Sequence, residues 1–247
     1  GDRDALVFSP MQGALNTHPL IQVGRFDTED GTFAAESQRV IDGGVDFYAP
    51  QTMDDHDGRR IMIAWMQQWF QKNVTAEEGW AGAMTIPREL VLDADGVVRQ
   101  VPLPELKALR GDPQVEGPLM VDEAGHATTA PTAAEVRVVV SPQSTASRFT
   151  IGVRASQDGH EVTVFEVGRP AGTVTCDRTL SGLGDTTGST AAFRPCPDDG
   201  ELEVRLFLDT CSVELFAADG EASLTNRIYA DAASTGFTIT PLDGVLD

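Results

Sequence analysis

Hydrophobic side chains in the second half of this chain recur at every second residue, and that rhythm limits the possible fold more than any other feature. Leu202, Val204, Leu206 and Leu208 alternate with Glu203 and Arg205, and Phe149, Ile151 and Val153 share one face of another stretch. Glu135 to Val140 has a similar strand-like run, and Val162 and Val164 continue the series. Val213-Glu-Leu-Phe216 then passes through Asp219-Gly220 into Ala222 to Tyr229. Successive side chains of a strand point to opposite faces, so this period, with one polar face, predicts sheets covered on one side only. Several such strands separated by turns predict a β-sandwich.

The first half is also strand-like, with a different texture. Ala5-Leu-Val-Phe8 and Arg60-Ile-Met-Ile-Ala-Trp65 are short apolar runs bounded by Gly, Pro or Asp, which predicts strands buried on both faces. Asp57-Gly58 predicts a type I′ hairpin turn before the second run, and Asp93-Ala-Asp-Gly96 predicts another turn before Val97. Only Pro104-Glu-Leu-Lys-Ala-Leu-Arg110 has helical spacing, with Gly111 as its stop and Pro113 beyond. All three tryptophans (Trp65, Trp69, Trp80) precede this connector. The composition therefore divides the chain near residues 104–114, into 1–110 and 111–247. At 247 residues there is ample area for one large or two ordinary cores.

A net charge of −20 repels phosphate backbones and anionic lipid headgroups, which excludes nucleic acid and membrane surfaces as partners. No apolar run approaches the ~18–20 residues of a membrane span. The opening Gly1-Asp-Arg-Asp-Ala-Leu-Val-Phe8 reads as neither a signal peptide nor a translation start, but as a chain entered partway. Cys176, Cys196 and Cys211 are odd in number and lack metal-ligand spacing, and the four histidines are scattered. A reduced, cytoplasmic compartment fits these thiols, with one disulfide left open. There is no Gly-x-Ser-x-Gly elbow, phosphate-binding glycine loop, His-Glu-x-x-His or Cys-x-x-Cys, and no metal or cofactor site is read. Asp54-Asp55 and Asp198-Asp-Gly200 are acidic turns without calcium-loop spacing.

The remaining chemistry lies in aromatics and carboxylates. Asp46 beside Phe47 and Tyr48 offers acceptors for sugar hydroxyls and flat faces for sugar C–H groups; equally, it reads as a turn cap followed by core aromatics. Trp65 ends its strand before Gln67-Gln68, and with Trp69 it suits either a stacking wall or a core. Trp80 precedes Gly82, which serves a close backbone approach or simply a turn. Arg88-Glu89 reads as structural ion pairing, with each other or with neighbouring strands, since a lone carboxylate is a weak catalytic candidate where glycosidic cleavage needs two on opposite sides of one bond.

Laid out in order, these segments resemble glycoside hydrolase family 32, the invertases and sucrose-6-phosphate hydrolases. The likeness runs through Ala5-Leu-Val-Phe-Ser-Pro-Met-Gln-Gly13, Asp42-Gly-Gly-Val-Asp-Phe-Tyr-Ala-Pro-Gln51 and Gly58-Arg-Arg-Ile-Met-Ile-Ala-Trp-Met66. It continues in Trp80-Ala-Gly-Ala-Met-Thr-Ile-Pro-Arg-Glu-Leu90 and Gln100-Val-Pro-Leu-Pro-Glu-Leu-Lys-Ala-Leu-Arg110. Cys211-Ser-Val-Glu-Leu-Phe-Ala-Ala-Asp-Gly-Glu221 and Leu224-Thr-Asn-Arg-Ile-Tyr229 resemble the family's late hairpin. The resemblance implies an all-β chain: the last blades of a five-bladed β-propeller in 1–110, followed by a β-sandwich in 111–247.

By the same resemblance, the activity is cleavage of β-fructofuranosides such as sucrose or sucrose 6-phosphate with retention of configuration. The family's nucleophile sits in a Trp-Met-Asn-Asp-Pro-Asn stretch, a second Asp in Arg-Asp-Pro grips fructose, and a Glu in Glu-Cys is the acid/base. None of these motifs is present. Arg3-Asp4 is followed by Ala5, and Arg110-Gly-Asp-Pro113 has the wrong spacing. The resemblance thus implies that Trp65 lines the fructose pocket with Asp46 and Tyr48 near it. It also implies that the catalytic carboxylates belong to blades upstream of Gly1, in the same or a separate chain. The isolated chain is then expected to be inactive. The alternative is a non-catalytic carbohydrate-binding or interaction module derived from such an enzyme.

Overall fold

The computed structural model describes residues 3–11, 18–67, 71–184, 186–196 and 200–247. Trp69, Gln68, Asp198 and the Gln12-Gly13 end of the first family-like segment lie outside them. The architecture is almost wholly β. Strands β1 (Asp4–Phe8), β2 (Leu20–Asp27) and β3 (Thr32–Val40) form one antiparallel sheet in sequence order. A four-stranded antiparallel meander follows: β4 (Tyr48–Asp54), β5 (Arg60–Trp65), β6 (Arg88–Leu92) and β7 (Val98–Pro102). These two sheets share a core of Ile21, Val23, Ile41, Phe47, Met62, Ala64 and Val98. Strand β5 is largely buried, as its apolar run predicts. Strand β1 departs from that expectation: it lies at the edge of its sheet and is mostly exposed, because nothing among the described residues pairs with its outer side.

The turns carry the same device twice. In Asp55–Gly58 the Gly58 N–H donates to the Asp55 carbonyl, while Asp55 Oδ1 accepts from the amides of Asp57 and Arg59. In Asp93–Gly96 the Gly96 N–H donates to Asp93, whose Oδ1 accepts from Asp95 and Val97. The glycines have φ of 77° and 83°, but neither Asp57 nor Asp95 shares a positive φ, so these are not type I′ turns. They are longer loops with a left-handed glycine at the end, and the aspartate side chain replaces the second positive φ as the organising element.

The connector is a 3-10 helix, Pro104–Leu109. It stops where Arg110 turns extended (φ −72°, ψ 133°) rather than on a left-handed Gly111. Its exit is pinned by Arg110, which donates from Nε and NH2 to Glu135 at 2.6 Å each.

Beyond it, two antiparallel sheets face each other. The larger runs in the order Ser189–Ala192 (β13), Thr173–Leu180 (β12), Val162–Gly168 (β11), Arg148–Ala155 (β10), Gly236–Pro241 (β17) and His126–Thr129 (β8). The smaller runs Ala222–Arg227 (β16), Ser212–Ala217 (β15), Leu202–Asp209 (β14) and Ala134–Val140 (β9). Phe149, Ile151 and Val153 of β10 share a buried core with Leu202, Val204, Leu206 and Leu208 of β14, as the alternation predicts. In β11 the period is right but the face is reversed. Thr163, Phe165 and Val167 are buried while Val162 and Val164 are half-exposed, because the large Phe165 ring takes the inward position and a strand cannot put both sets inside.

The larger departure concerns β15 and β16, which are buried along their entire length. Their polar residues Glu214, Ser223, Thr225 and Arg227 do not face water, because the four-stranded meander covers that side of the sandwich. Strand β16 is the edge of its sheet, and segment 42–46 closes it as an extra strand would. Gly43 and Asp46 donate their amides to the carbonyls of Ser223 and Thr225, and the carboxylates of Asp42 and Asp46 accept from the amides of Thr225 and Arg227. The edge is thereby satisfied by side chains as well as backbone. At the other end, the β15–β16 hairpin touches β7. Gln100 donates to the Gly220 carbonyl at 2.9 Å, and a Cβ on Gly220 would lie 2.1 Å from the Gln100 oxygen.

Candidate functional site: an aromatic wall backed by a buried ionic seam

Tyr48 and Trp65 are direct cross-strand partners in β4 and β5. Two features shape the pair. Residues Ala49 and Pro50 form a bulge between Tyr48 and Gln51, with Ala49 at φ +46°, a left-handed conformation that costs a non-glycine residue free energy. Bulges re-aim side chains, and this one immediately follows Tyr48. The Ala49 amide is held by the Ser9 hydroxyl at 3.1 Å. The second feature is Gly82, at φ +72°, whose missing Cβ would stand 2.5 Å from Trp65 Nε1. The backbone at Gly82 thus comes close to the indole, and the segment that follows is held beside β5 by pairing of Met66 with Ala83 (2.7 Å) and Thr85 with Ala64 (3.0 Å). Ser9, Ala49 and Gly82 carry no chemistry in the sequence pattern; only the close-approach reading of Gly82 pointed toward one of them.

Trp65 is half-buried, whereas Tyr48 is only 6% exposed. Trp80 is 40% exposed and Met84, the bridge partner of Trp65, is 59% exposed. The Trp80 indole donates to Glu78 at 3.2 Å. The result is a partly open apolar rim beside Trp65. Two surface depressions lie elsewhere, around Arg169 and Cys196 on the sandwich and around Arg25 and Thr32 on the first sheet; neither touches Trp65.

Asp46 is not on that rim. It is fully buried, and its carboxylate faces the sandwich. Oδ1 accepts from Arg227 Nε at 3.0 Å, and Oδ2 accepts from the Arg227 amide at 2.8 Å and from Arg178 NH1 at 3.3 Å. Burial pushes the Asp46 carboxyl above the ordinary carboxylate range, against the pull of Arg178 and Arg227. Arg227 also donates NH1 to Gln67 Oε1 at 2.8 Å and NH2 to Gln71 Oε1 at 3.2 Å.

A second buried group lies alongside. Arg88 is completely enclosed and donates NH1 to Asp42 (2.7 Å) and Gln100 (2.8 Å), and NH2 to Glu214 and Thr225 (2.5 Å each). Its guanidinium is flanked by the rings of Phe47 and Phe216, at 5.0 and 4.8 Å from their centroids. Burial alone would raise Asp42, but Arg88, Thr225 and the Gly44 amide outweigh it and hold that carboxyl below the usual range. Glu214 is raised, since burial exceeds the attraction of Arg88 and the Ile86 amide. Arg88 is therefore an ion-pair residue, and of the two pairings open to it, with Glu89 or with neighbouring segments, it makes the second, to partners 46 and 126 residues away.

Among the described residues, Asp55, His56 and Asp57 are the one group close enough to share an ion, and all three sit on a hairpin tip with His56 and Asp57 exposed. The three cysteines are free; Cys176 is buried, which pushes its thiol up to about 12. Among the described residues no helix is long and apolar enough to cross a membrane.

Comparison with known proteins places this geometry in context. Residues 3–102 match the glycosyl hydrolases family 32 N-terminal domain, and residues 105–245 match the family's C-terminal domain. The raffinose invertase of Escherichia coli is 37% identical over 205 residues, covering 83% of this chain and 41% of that protein. A sucrose-6-phosphate hydrolase of Zymomonas mobilis is 29% identical over 259 residues, covering 99% and 49%. The solved exo-inulinase of Aspergillus awamori superposes with a TM-score of 0.81 at 24% identity, over 99% of this chain and 51% of that one, and so attests the fold. The chain spans about half the length of the curated relatives it matches. With models of both family domains matching in order over almost its whole length, the chain belongs to glycosyl hydrolase family 32.

Proposed function

We propose that this chain forms the sandwich and the closing blades of a β-fructofuranosidase-type glycosidase acting on a β-fructoside such as sucrose or sucrose 6-phosphate. The observation that carries the reading is the Tyr48–Trp65 pair, two aromatics in cross-strand register beside a strained bulge, with Trp65 half-buried next to the exposed Met84. Aromatic faces of this kind suit the C–H surface of a sugar ring. Trp65 is the stacking residue, Tyr48 supports it from the facing strand, and Asp46 holds the wall from behind through the sandwich rather than touching sugar.

Retaining cleavage requires an acid/base and a nucleophile about 5–5.5 Å apart across the scissile bond. The carboxylates behind the wall, Asp42, Asp46 and Glu214, are buried and engaged by arginines, and Glu78 at the rim is a single exposed carboxylate that accepts from the Trp80 indole, so these do not supply that pair. In this reading both groups come from polypeptide beyond these 247 residues, in the same or a separate chain. The acid protonates the glycosidic oxygen as the nucleophile attacks the anomeric carbon, and water then releases the fructosyl-enzyme with the same group acting as base. The boundary between the catalytic blades and the sandwich falls at the 104–110 connector, and a reduced cytoplasmic setting suits the three free thiols.

The test is release of fructose from sucrose and from sucrose 6-phosphate. The 247-residue chain alone is expected to show none. The same chain joined to polypeptide bearing the Trp-Met-Asn-Asp-Pro-Asn and Glu-Cys stretches is expected to turn over at least one of them. Turnover by the chain alone, proportional to protein, overturns the reading; saturable binding of fructose without turnover in either form favours a non-catalytic module instead.

A further inference from the structure

Strands β4 and β5 are joined by the Asp55–Gly58 turn at one end and are open at the other, where Tyr48 and Trp65 face each other. Residues 83–85 hold β5 at that end and the Ser9 hydroxyl holds Ala49 on β4, but neither of these contacts ties the two strands to each other beyond the Tyr48–Trp65 pair. Two positions before Tyr48 lies Asp46, and two positions after Trp65 lies Gln67. A single side chain from the sandwich grips both. Arg227 donates Nε to Asp46 Oδ1 at 3.0 Å and NH1 to Gln67 Oε1 at 2.8 Å. Its third arm reaches Gln71, and the guanidinium carbon is 5.8 Å from the Tyr229 ring centroid. Arg227 is itself buried and lies in the last position of β16, whose edge is zipped to segment 42–46.

We propose that Arg227 is a positioning residue: it clips the open end of the β4–β5 hairpin from the sandwich side and so fixes the orientation of Trp65 against Tyr48. The proposal rests on the fructosidase reading for its purpose, but the clip itself stands on geometry alone. Arginine suits the role because its planar fork holds donors at fixed angles to two acceptors at once, which the point charge of lysine does not. Gln67 reads as an ordinary polar residue after a strand, yet it is 4% exposed, consistent with a buried acceptor rather than a surface amide.

The experiment uses the full chain with Trp69→Phe and Trp80→Phe, so that Trp65 alone reports through its emission maximum, near-ultraviolet dichroism and acrylamide quenching. Arg227→Met and Arg227→Lys are expected to red-shift Trp65 and quench it faster, with lysine intermediate. Should Arg227→Met fail to fold, Gln67→Leu cuts one arm without leaving a buried charge and is expected to give the same shift in smaller degree. Arg194→Met is the comparison, because it also removes contacts between the first half and the sandwich, to Asp93 and Asp95, far along the sequence from the wall. It should lower stability and leave the Trp65 signals unchanged. Unchanged Trp65 signals in folded Arg227→Met or Gln67→Leu overturn the proposal, as does an equal shift in Arg194→Met. No sugar enters this measurement, so a failure of the fructosidase reading leaves it intact, and its own failure leaves that reading standing.

Discussion

Replacing Arg88 with methionine removes one cation from a site that also encloses two carboxylates. Side chains of Asp42 and Glu214 are 0% and 4% exposed, so neither can recover its solvation by turning outward. Asp42 keeps the Thr225 amide, the Thr225 hydroxyl and the Gly44 amide as donors, whereas Glu214 keeps the Ile86 amide. The larger penalty therefore falls on Glu214. Breaking a buried pair from one side typically costs about 3–5 kcal/mol, most of it the stranded charge. For a chain of this size, that corresponds to a fall in Tm of roughly 6–20 °C, at about 2–4 °C per kcal/mol. Because burial already raises Glu214, protonation offers it relief, so the loss should be smaller at pH 5 than at pH 8. Adding Glu214→Gln to Arg88→Met should recover part of the loss at pH 8. Arg137→Met, which removes a pair whose cation is largely exposed, should cost less than about 1 kcal/mol. Urea denaturation followed by both far-ultraviolet dichroism and tryptophan emission reads these differences. An Arg88→Met chain within about 1 kcal/mol of the parent would refute the idea that this seam joins the blades to the sandwich.

Two other outcomes follow from the same joint. Gly220→Ala places a methyl 2.1 Å from the Gln100 oxygen at a φ of 83°, and should destabilise by roughly 1–3 kcal/mol in the same urea assay, whereas Gly31→Ala, with open space around it, should pay only for its φ. Burial tends to raise Glu135, but its bonds from Arg110 and Arg205 outweigh this and lower it. The stability it contributes is thus fully present above its unfolded value and lost as pH falls through the depressed folded one. A Tm-against-pH series should show Glu135→Gln below the parent at pH 6–8, with the gap closing under acid; a constant gap would count against the sign.

The sandwich was legible because alternation alone separates inside from outside in Leu202–Leu208 and Phe149–Val153. The same rule misled where a second layer covers the polar face. Glu214, Thr225 and Arg227 look like solvent residues in the sequence, and they become the seam only because residues more than a hundred positions earlier bring Asp42, Asp46 and Arg88 to them. Asp46 shows the consequence at the site. Its type and neighbours suit a sugar acceptor, but periodicity carries no information about which sheet lies behind it. Trp65 and Tyr48 were legible as a pair of candidates, and their cross-strand register was not, since it depends on the bulge at Ala49.

The most direct test of the central claim is sucrose hydrolysis by the chain joined to its carboxylate-bearing partner segment, comparing Trp65→Ala with Trp80→Ala. Losing one stacking face of about 1.4 kcal/mol should lower kcat/KM for Trp65→Ala by about tenfold or more, while the more exposed Trp80→Ala stays near the parent. Equal rates for Trp65→Ala and the parent would contradict the account.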